Sequence, residues 1–328
     1  MCTAASFKNN YFGRNLDYEF SYGEKITIVP RHYRYNFKYL GCNDNHYAII
    51  GVAHIDDNYP LFYDGMNECG LAMAGLNFVG NAFYNDFDDK KNNVCQYELI
   101  SYILATCKNV LEVIDKFKCI NICNTMYKNY PNASLHWIIK DNSRCIVVEA
   151  MKDGLFIYDN KVKALTNNPP FTYQLEALKK YCMLTNDEPT NNFSVDNPFY
   201  SRGMGAIGLP GDLSSQSRFV RVAFTSYFSK ANDDEISNVN QLFHILESVY
   251  QQRGCCKVND GYEITIYTSC MNLSEGIYYY KTYDNTQINA VGLKNVNLNT
   301  DNLYLYEMKK CEFKFQNWKH YYNYSIKA

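Results

Sequence analysis

The chain has 328 residues, of which 47% are hydrophobic and 20% charged, and its 32 basic and 34 acidic residues leave a formal net charge of -2. This is the composition of an ordinary globule with enough apolar material for a sizeable core. No basic run interleaved with aromatics occurs, which argues against a nucleic-acid partner.

From Cys2 to about His54 the chain shows short apolar or alternating runs broken by turn residues, such as Lys25-Ile26-Thr27-Ile28-Val29 and Tyr47-Ala48-Ile49-Ile50-Gly51-Val52, which predict strands. The stretch from Tyr59 to Glu68 is turn-rich, and Gly70 to Phe78 reads as a Gly/Ala-rich strand. Glycines inside a strand often mark close approach of a ligand or another backbone. A helix follows from Glu98 to Leu104, and Asn109-Val110-Leu111-Glu112 has the form of a capping box opening a second. Leu135–Ile139, Cys145–Glu149 and Leu155–Tyr158 predict a meander of strands, and the turn Asn167-Asn168-Pro169-Pro170 leads into a helix around Tyr173–Met183. An irregular segment of Asn, Pro and Gly then fills residues 184–214; loops of this length usually serve as lids or assembly elements. Helices are expected at Ser217–Ala231 and Val239–Tyr250, then strands at Glu263–Met271, Gly276–Asp284, Gln287–Val291 and Asn302–Met308. Strands and helices in blocks, without βαβ alternation, predict an α+β layered fold. Nothing marks a linker or an internal repeat, so residues 1–328 are expected to form one domain.

Thirteen cysteines are odd in number and scattered, with no CxxC and no Cys pair followed by spaced histidines. A disulfide scaffold and a zinc site both lack support, and free thiols in a reducing compartment are expected. No apolar run stands behind Lys8, Arg14 and Asp17, and no window reaches the ~18 apolar residues of a membrane span. The expectation is therefore a cytoplasmic protein without membrane contact. Gly203-Met204-Gly205-Ala206-Ile207-Gly208 matches a dinucleotide-binding pattern, but Leu209-Pro210-Gly211 directly after it stops a helix from opening there. No cofactor and no metal are expected. His136, on an apolar strand, reads as a satisfied core residue.

What remains is Cys2 itself. Met followed by a small residue is routinely trimmed, which would leave Cys2 with a free α-amine beside its thiol. Such an amine has a pKa of about 7.7–8.0 and is partly unprotonated at neutral pH. Nucleophile and base then sit on one residue, as in threonine nucleophiles activated by their own amine. Arg14, Asp17, Asn77, Asn167 and Arg218 are polar residues at strand ends and turns. Each has a plain structural reading: an Arg14–Asp17 ion pair, turn-forming Asn77 and Asn167, a solvated Arg218, a half-buried Cys2. Together they are the parts for amide hydrolysis by a cysteine without a histidine: a cation to favour thiolate, a carboxylate to orient the amine, neutral donors for an oxyanion.

The sequence resembles the choloylglycine hydrolases, comprising bile salt hydrolases and penicillin V acylases, within the N-terminal nucleophile hydrolases. The resemblance runs through Met1-Cys2-Thr3, Phe12-Gly13-Arg14-Asn15-Leu16-Asp17, Asp64-Gly65-Met66-Asn67-Glu68, Ala74-Gly75-Leu76-Asn77-Phe78 and Leu135-His136-Trp137. It continues through Leu165-Thr166-Asn167-Asn168-Pro169, Gly208-Leu209-Pro210-Gly211-Asp212, Ser217-Arg218-Phe219 and Tyr267-Thr268-Ser269-Cys270-Met271. It implies a four-layer αββα sandwich with the nucleophile at the start of an inner strand. It also implies that Cys2 attacks, Asp17 holds the amine, Arg14 lies beside thiol and substrate, Asn77 and Asn167 line the oxyanion hole, and Arg218 braces the cluster. Asn rather than Tyr at position 77 favours glycine- or taurine-conjugated bile salts over penicillin V. Leu16, Leu61, Phe62 and Tyr63 would supply an apolar wall, while Asp56-Asp57-Asn58 makes the neighbouring loop more polar than the bile salt enzymes lead one to expect. The segment 184–212 implies a homotetramer. Penicillin V and acyl-homoserine lactones are the alternative amide substrates, and two rival readings stand beside hydrolysis: acyl transfer from the same thioester to another amine, and a non-catalytic thiol or sterol-binding protein.

Overall fold

In the computed structural model, which describes residues 1–190 and 202–315, two antiparallel sheets lie face to face. The first has six strands in the order Ala164–Leu165, Cys2–Phe7, Tyr11–Tyr18, Ile264–Asn272, Ile277–Thr282 and Asn285–Gly292. The second has eight, in the order Gly154–Asp159, Cys145–Met151, Leu135–Lys140, Ala72–Asn77, Tyr59–Asn67, Ile49–Asp56, Lys25–Val29 and Tyr304–Tyr306. Among the described residues five α-helices cover the outer faces: α1 (Leu99–Thr106), α2 (Val110–Phe117), α3 (Phe171–Leu178), α4 (Ser215–Phe228) and α5 (Glu235–Glu247). Helices α4 and α5 pack on Cys2–Phe7, and α1 packs on Tyr59–Asn67 and Ala72–Asn77. The result is the αββα sandwich.

The period-2 geometry of strands explains the layering. Along Ala72–Asn77, Ala72, Ala74 and Leu76 turn to the core between the sheets, while Met73 turns to the core under α1. Cys2–Phe7 is buried along its whole length, because one face meets the second sheet and the other meets α4 and α5. At Gly13 a Cβ would lie 2.0 Å from the Ser269 carbonyl oxygen. Only glycine lets Tyr11–Tyr18 approach Ile264–Asn272 that closely, and the next residue is Arg14.

Several boundaries differ from the sequence expectation. The stretch from Tyr59 is not turn-rich but a nine-residue strand, Tyr59–Asn67. The turn lies just before it, at Asp57 and Asn58, both with positive φ (48° and 62°). Asp64-Gly65 looks like a turn because Asp prefers solvent, yet Asp64 is fully buried, with tertiary partners replacing water. Helix α5 begins at Glu235 rather than Val239, since Asp234 caps it by accepting the Ser237 N–H at 2.8 Å. Helix α3 is shorter than expected and passes into a 3-10 turn at Lys179–Tyr181. The parallel pair Asn92–Cys95 and Ile120–Cys123 was not legible in the sequence. Of the expected assembly segment 184–212, residues 191–201 lie outside the described residues.

Candidate active site

Cys2 opens an inner strand at the floor of a cavity of about 270 Å³. Its backbone is held from both sides. The Cys2 N–H donates to Asn167 Oδ1 at 2.8 Å, and the Cys2 carbonyl accepts from Arg218 Nη1 at 2.6 Å. Arg218 Nη2 donates to the same Asn167 Oδ1 at 2.7 Å, and its Nε donates to the Leu213 carbonyl at 3.0 Å. Asn167 Nδ2 donates to the Asn77 carbonyl at 2.8 Å, and the Asn167 N–H donates to Ser215 Oγ at 2.9 Å. Register explains the neighbours: Cys2 sits opposite Leu16, and Ala4 opposite Arg14.

The charges are paired by burial rather than by sequence proximity. Arg14 and Asp17 do not form the simple ion pair that their spacing allows. Arg14 Nε lies 3.9 Å from Asp64 Oδ2, and Asp17 Oδ2 lies 3.9 Å from Arg218 Nη1, all four side chains being fully buried. Arg14 Nη1 donates to the carbonyls of Tyr63 (3.1 Å) and Gly75 (2.8 Å), while its buried Nη2 has no protein partner. Asp64 accepts the hydroxyls of Tyr267 and Tyr278, each at 2.5 Å. Asp17 Oδ1 accepts the Thr265 hydroxyl at 2.6 Å. Arg218, read from sequence as a candidate solvated residue, is instead fully buried.

Burial acts first on these groups, and partners then decide the outcome. Burial would lower the Arg14 pKa, but Cys2, Tyr267, Asp64 and Asp17 outweigh it and hold the guanidinium firmly charged. Burial raises the Asp17 pKa against the opposing pull of Arg218, the N-terminal ammonium and Thr265. Burial raises Asp64 likewise, against Arg14 and the two tyrosines. Met1 is present; its ammonium donates to the Asp17 carbonyl at 2.8 Å, pairs with Glu263, and has its pKa lowered chiefly by burial.

Cys2, Arg14, Asp17 and Asn77 line the cavity, as do Leu16, Leu61, Phe62 and Tyr63. Asn167 and Arg218 stand behind the floor, touching the Cys2 backbone. Sequence reasoning missed the aromatic part of the wall: Tyr18, Tyr22, His54, Tyr97, Tyr127 and Tyr130. The abundance of tyrosine, 31 of 328 residues, was the available signal. It also missed Asp64, Thr265, Tyr267 and Tyr278, for which an Asp in a strand of apolar neighbours was the clue. Among the described residues no group of three or more His, Cys, Asp or Glu side chains is arranged to hold a metal ion.

A cysteine at the start of an inner strand of an αββα sandwich, with its backbone N and O gripped by polar side chains, defines the N-terminal nucleophile hydrolase class. Residues 2–306 match the model for linear amide C-N hydrolases of the choloylglycine hydrolase family. The chain belongs to that family. A bile salt hydrolase/transferase of Lactiplantibacillus plantarum is 50% identical over 315 residues, spanning 94% of this chain and 97% of that one. One of Clostridium perfringens is 37% identical over 325 residues, spanning 94% and 98%. A solved mutant of the conjugated bile acid hydrolase of Clostridium perfringens superposes with a TM-score of 0.89 at 36% identity, covering 97% of this chain and all of that one. The penicillin V acylase of Agrobacterium tumefaciens shares the fold, with a TM-score of 0.77 at 18% identity over 94% of this chain and 92% of that one.

Proposed function

We propose that this protein hydrolyses the amide bond of glycine- or taurine-conjugated bile salts through an acyl-thioester on Cys2, once Met1 has been removed. The observation that carries this reading is the placement of Cys2, with its backbone clamped between Asn167 and Arg218 at the floor of an aromatic-walled cavity. Removal of Met1 turns the Cys2 N–H that meets Asn167 Oδ1 into a free amine. That amine takes the thiol proton as sulfur attacks the amide carbon. Asn167 and Asn77 supply donors for the oxyanion. The C–N bond then breaks, and the amine returns the proton to the departing glycine or taurine nitrogen. Water adds to the thioester as the amine takes its proton, and the S–C bond breaks to release the acid and restore the thiol. Asp17 orients the amine, Arg14 favours thiolate and offers its free Nη2 to the substrate, and Arg218 balances Asp17. Leu16, Leu61, Phe62 and Tyr63 bury the steroid.

The name hydrolase/transferase borne by the relatives from Lactiplantibacillus plantarum and Clostridium perfringens supports a second outcome for the same thioester, capture by an amine in place of water. A cytoplasmic homotetramer completes this reading. No helix among the described residues is long and apolar enough to cross a membrane.

The test is amine release from glyco- and tauro-conjugates, with intact-mass analysis of the N-terminus. Active protein is expected to begin at Cys2, and Cys2→Ala is expected to lose at least about 10⁴-fold in kcat. Full activity with Met1 attached, or without the sulfur, would overturn the mechanism.

A further inference from the structure

His136 is a fully buried histidine on Leu135–Lys140 that the mechanism above does not use. Its Nε2 lies 2.7 Å from the Thr166 carbonyl, the residue before Asn167, and its Nδ1 lies 3.0 Å from Glu149 Oε1. A carbonyl only accepts, so Nε2 carries a proton and donates to Thr166. Glu149 Oε1 also accepts the N–H of Phe171, the first residue of α3, at 3.0 Å. The pair therefore grips the turn Asn167-Asn168-Pro169-Pro170 at both ends. On its face, His136 stacks on Phe78, ring centroids 4.3 Å apart and planes 7° from parallel. Phe78 directly follows Asn77. One imidazole thus touches the neighbour of each asparagine assigned to the oxyanion.

We propose that His136, held by Glu149, is a positioning residue that sets the Asn167 turn and Asn77 relative to Cys2. The inference rests on the reading of Asn77 and Asn167 as oxyanion donors. His136 touches neither substrate nor Cys2. It acts by fixing the Thr166 carbonyl and the Phe78 ring, while Gln174 Nε2, donating to the Asn167 and Pro169 carbonyls, braces the turn from the helix side. A donor displaced by about 1 Å from a developing charge costs on the order of 10²-fold in rate. A histidine that only filled space would carry no such cost.

Two isosteres separate its contacts. His136→Asn keeps a donor near the Nδ1 position, toward Glu149, and releases Thr166; His136→Gln keeps one near Nε2, toward Thr166. His136→Asn is expected to lose about 10- to 100-fold in kcat with KM within about two-fold of wild type. His136→Gln is expected to regain most of that loss. The rate at which iodoacetamide labels Cys2 is expected to stay unchanged in both, since alkylation needs no oxyanion donor. If His136→Asn does not fold, Glu149→Gln carries the same test, because Gln keeps an acceptor for the Phe171 N–H. Wild-type kcat in the folded variant, or labelling that falls in step with kcat, overturns the proposal. Asn167→Ala, run alongside, separates the layers: its failure to lower kcat removes the underlying reading, whereas a loss in Asn167→Ala alone removes only the role of His136.

Discussion

At and behind the floor of the Cys2 cavity, Arg14, Asp17, Asp64 and Arg218 are fully buried, and each faces a counter-ion from another strand or helix: Arg14 with Asp64, Asp17 with Arg218. At the rim the arrangement is the reverse. Lys128, on the loop that carries Tyr127 and Tyr130, is solvent-accessible and bonds both Asp56 Oδ1 (2.8 Å) and Asp57 of the opposite hairpin turn. Tyr127 donates its hydroxyl to the Asp56 carbonyl at 3.1 Å. The polar Asp56-Asp57-Asn58 turn, odd beside an apolar pocket, therefore fastens one aromatic wall to the other. Buried pairs cannot be broken singly without stranding a charge, whereas exposed pairs contribute little each and weaken in salt. The proposed chemistry therefore sits among buried pairs, and the proposed acyl wall is fastened by exposed ones.

The contrast breaks most visibly at Arg218. Arg218→Met removes the counter-ion of Asp17 and the bonds that Arg218 donates to the Cys2 carbonyl and the Thr3 hydroxyl, and is expected to cost about 3–5 kcal/mol of stability along with most activity. Thermal unfolding and amine release measure the two losses. A variant as stable as wild type would show that the floor does relax.

Thr265→Val tests the floor more gently. Its hydroxyl lowers the Asp17 pKa against the burial that raises it, so its removal lifts that pKa further. If ionised Asp17 is needed, activity is lost as pH falls through the raised value, and the acid limb of kcat/KM is expected to move to higher pH. The stability consequence has the opposite direction. A carboxyl whose folded pKa exceeds its unfolded pKa disfavours folding as pH rises. The deficit of Thr265→Val relative to wild type is therefore expected to shrink in acid. An unmoved acid limb would take Asp17 out of the titration.

The smallest effect belongs to the rim. Lys128→Ala is expected to raise KM for a steroid conjugate about two- to three-fold with kcat unchanged, and about 0.5 M salt is expected to mimic it on the wild type. Steady-state kinetics with conjugates of different acyl size would read this. A fall in kcat instead would mean that the rim reaches the chemistry.

Local pattern carried the strand from Lys25 to Val29, the strand expected at Glu263–Met271 and found at Ile264–Asn272, and the capping of α2 by Asn109, because alternation and cap chemistry act over a few residues. It misread Tyr59–Asn67, where the partners of Asp64 come from strands about 200 residues later.

By itself the sequence determined the layered α+β class and the family, and named the residues proposed to cleave an amide, since side-chain chemistry and motif order are local facts. Which carboxylate faces which guanidinium, that His136 touches the chain neighbours of both asparagines, and that tyrosines wall the cavity were decided by tertiary structure alone. These depend on contacts between residues far apart in the chain, which no window of neighbouring residues contains.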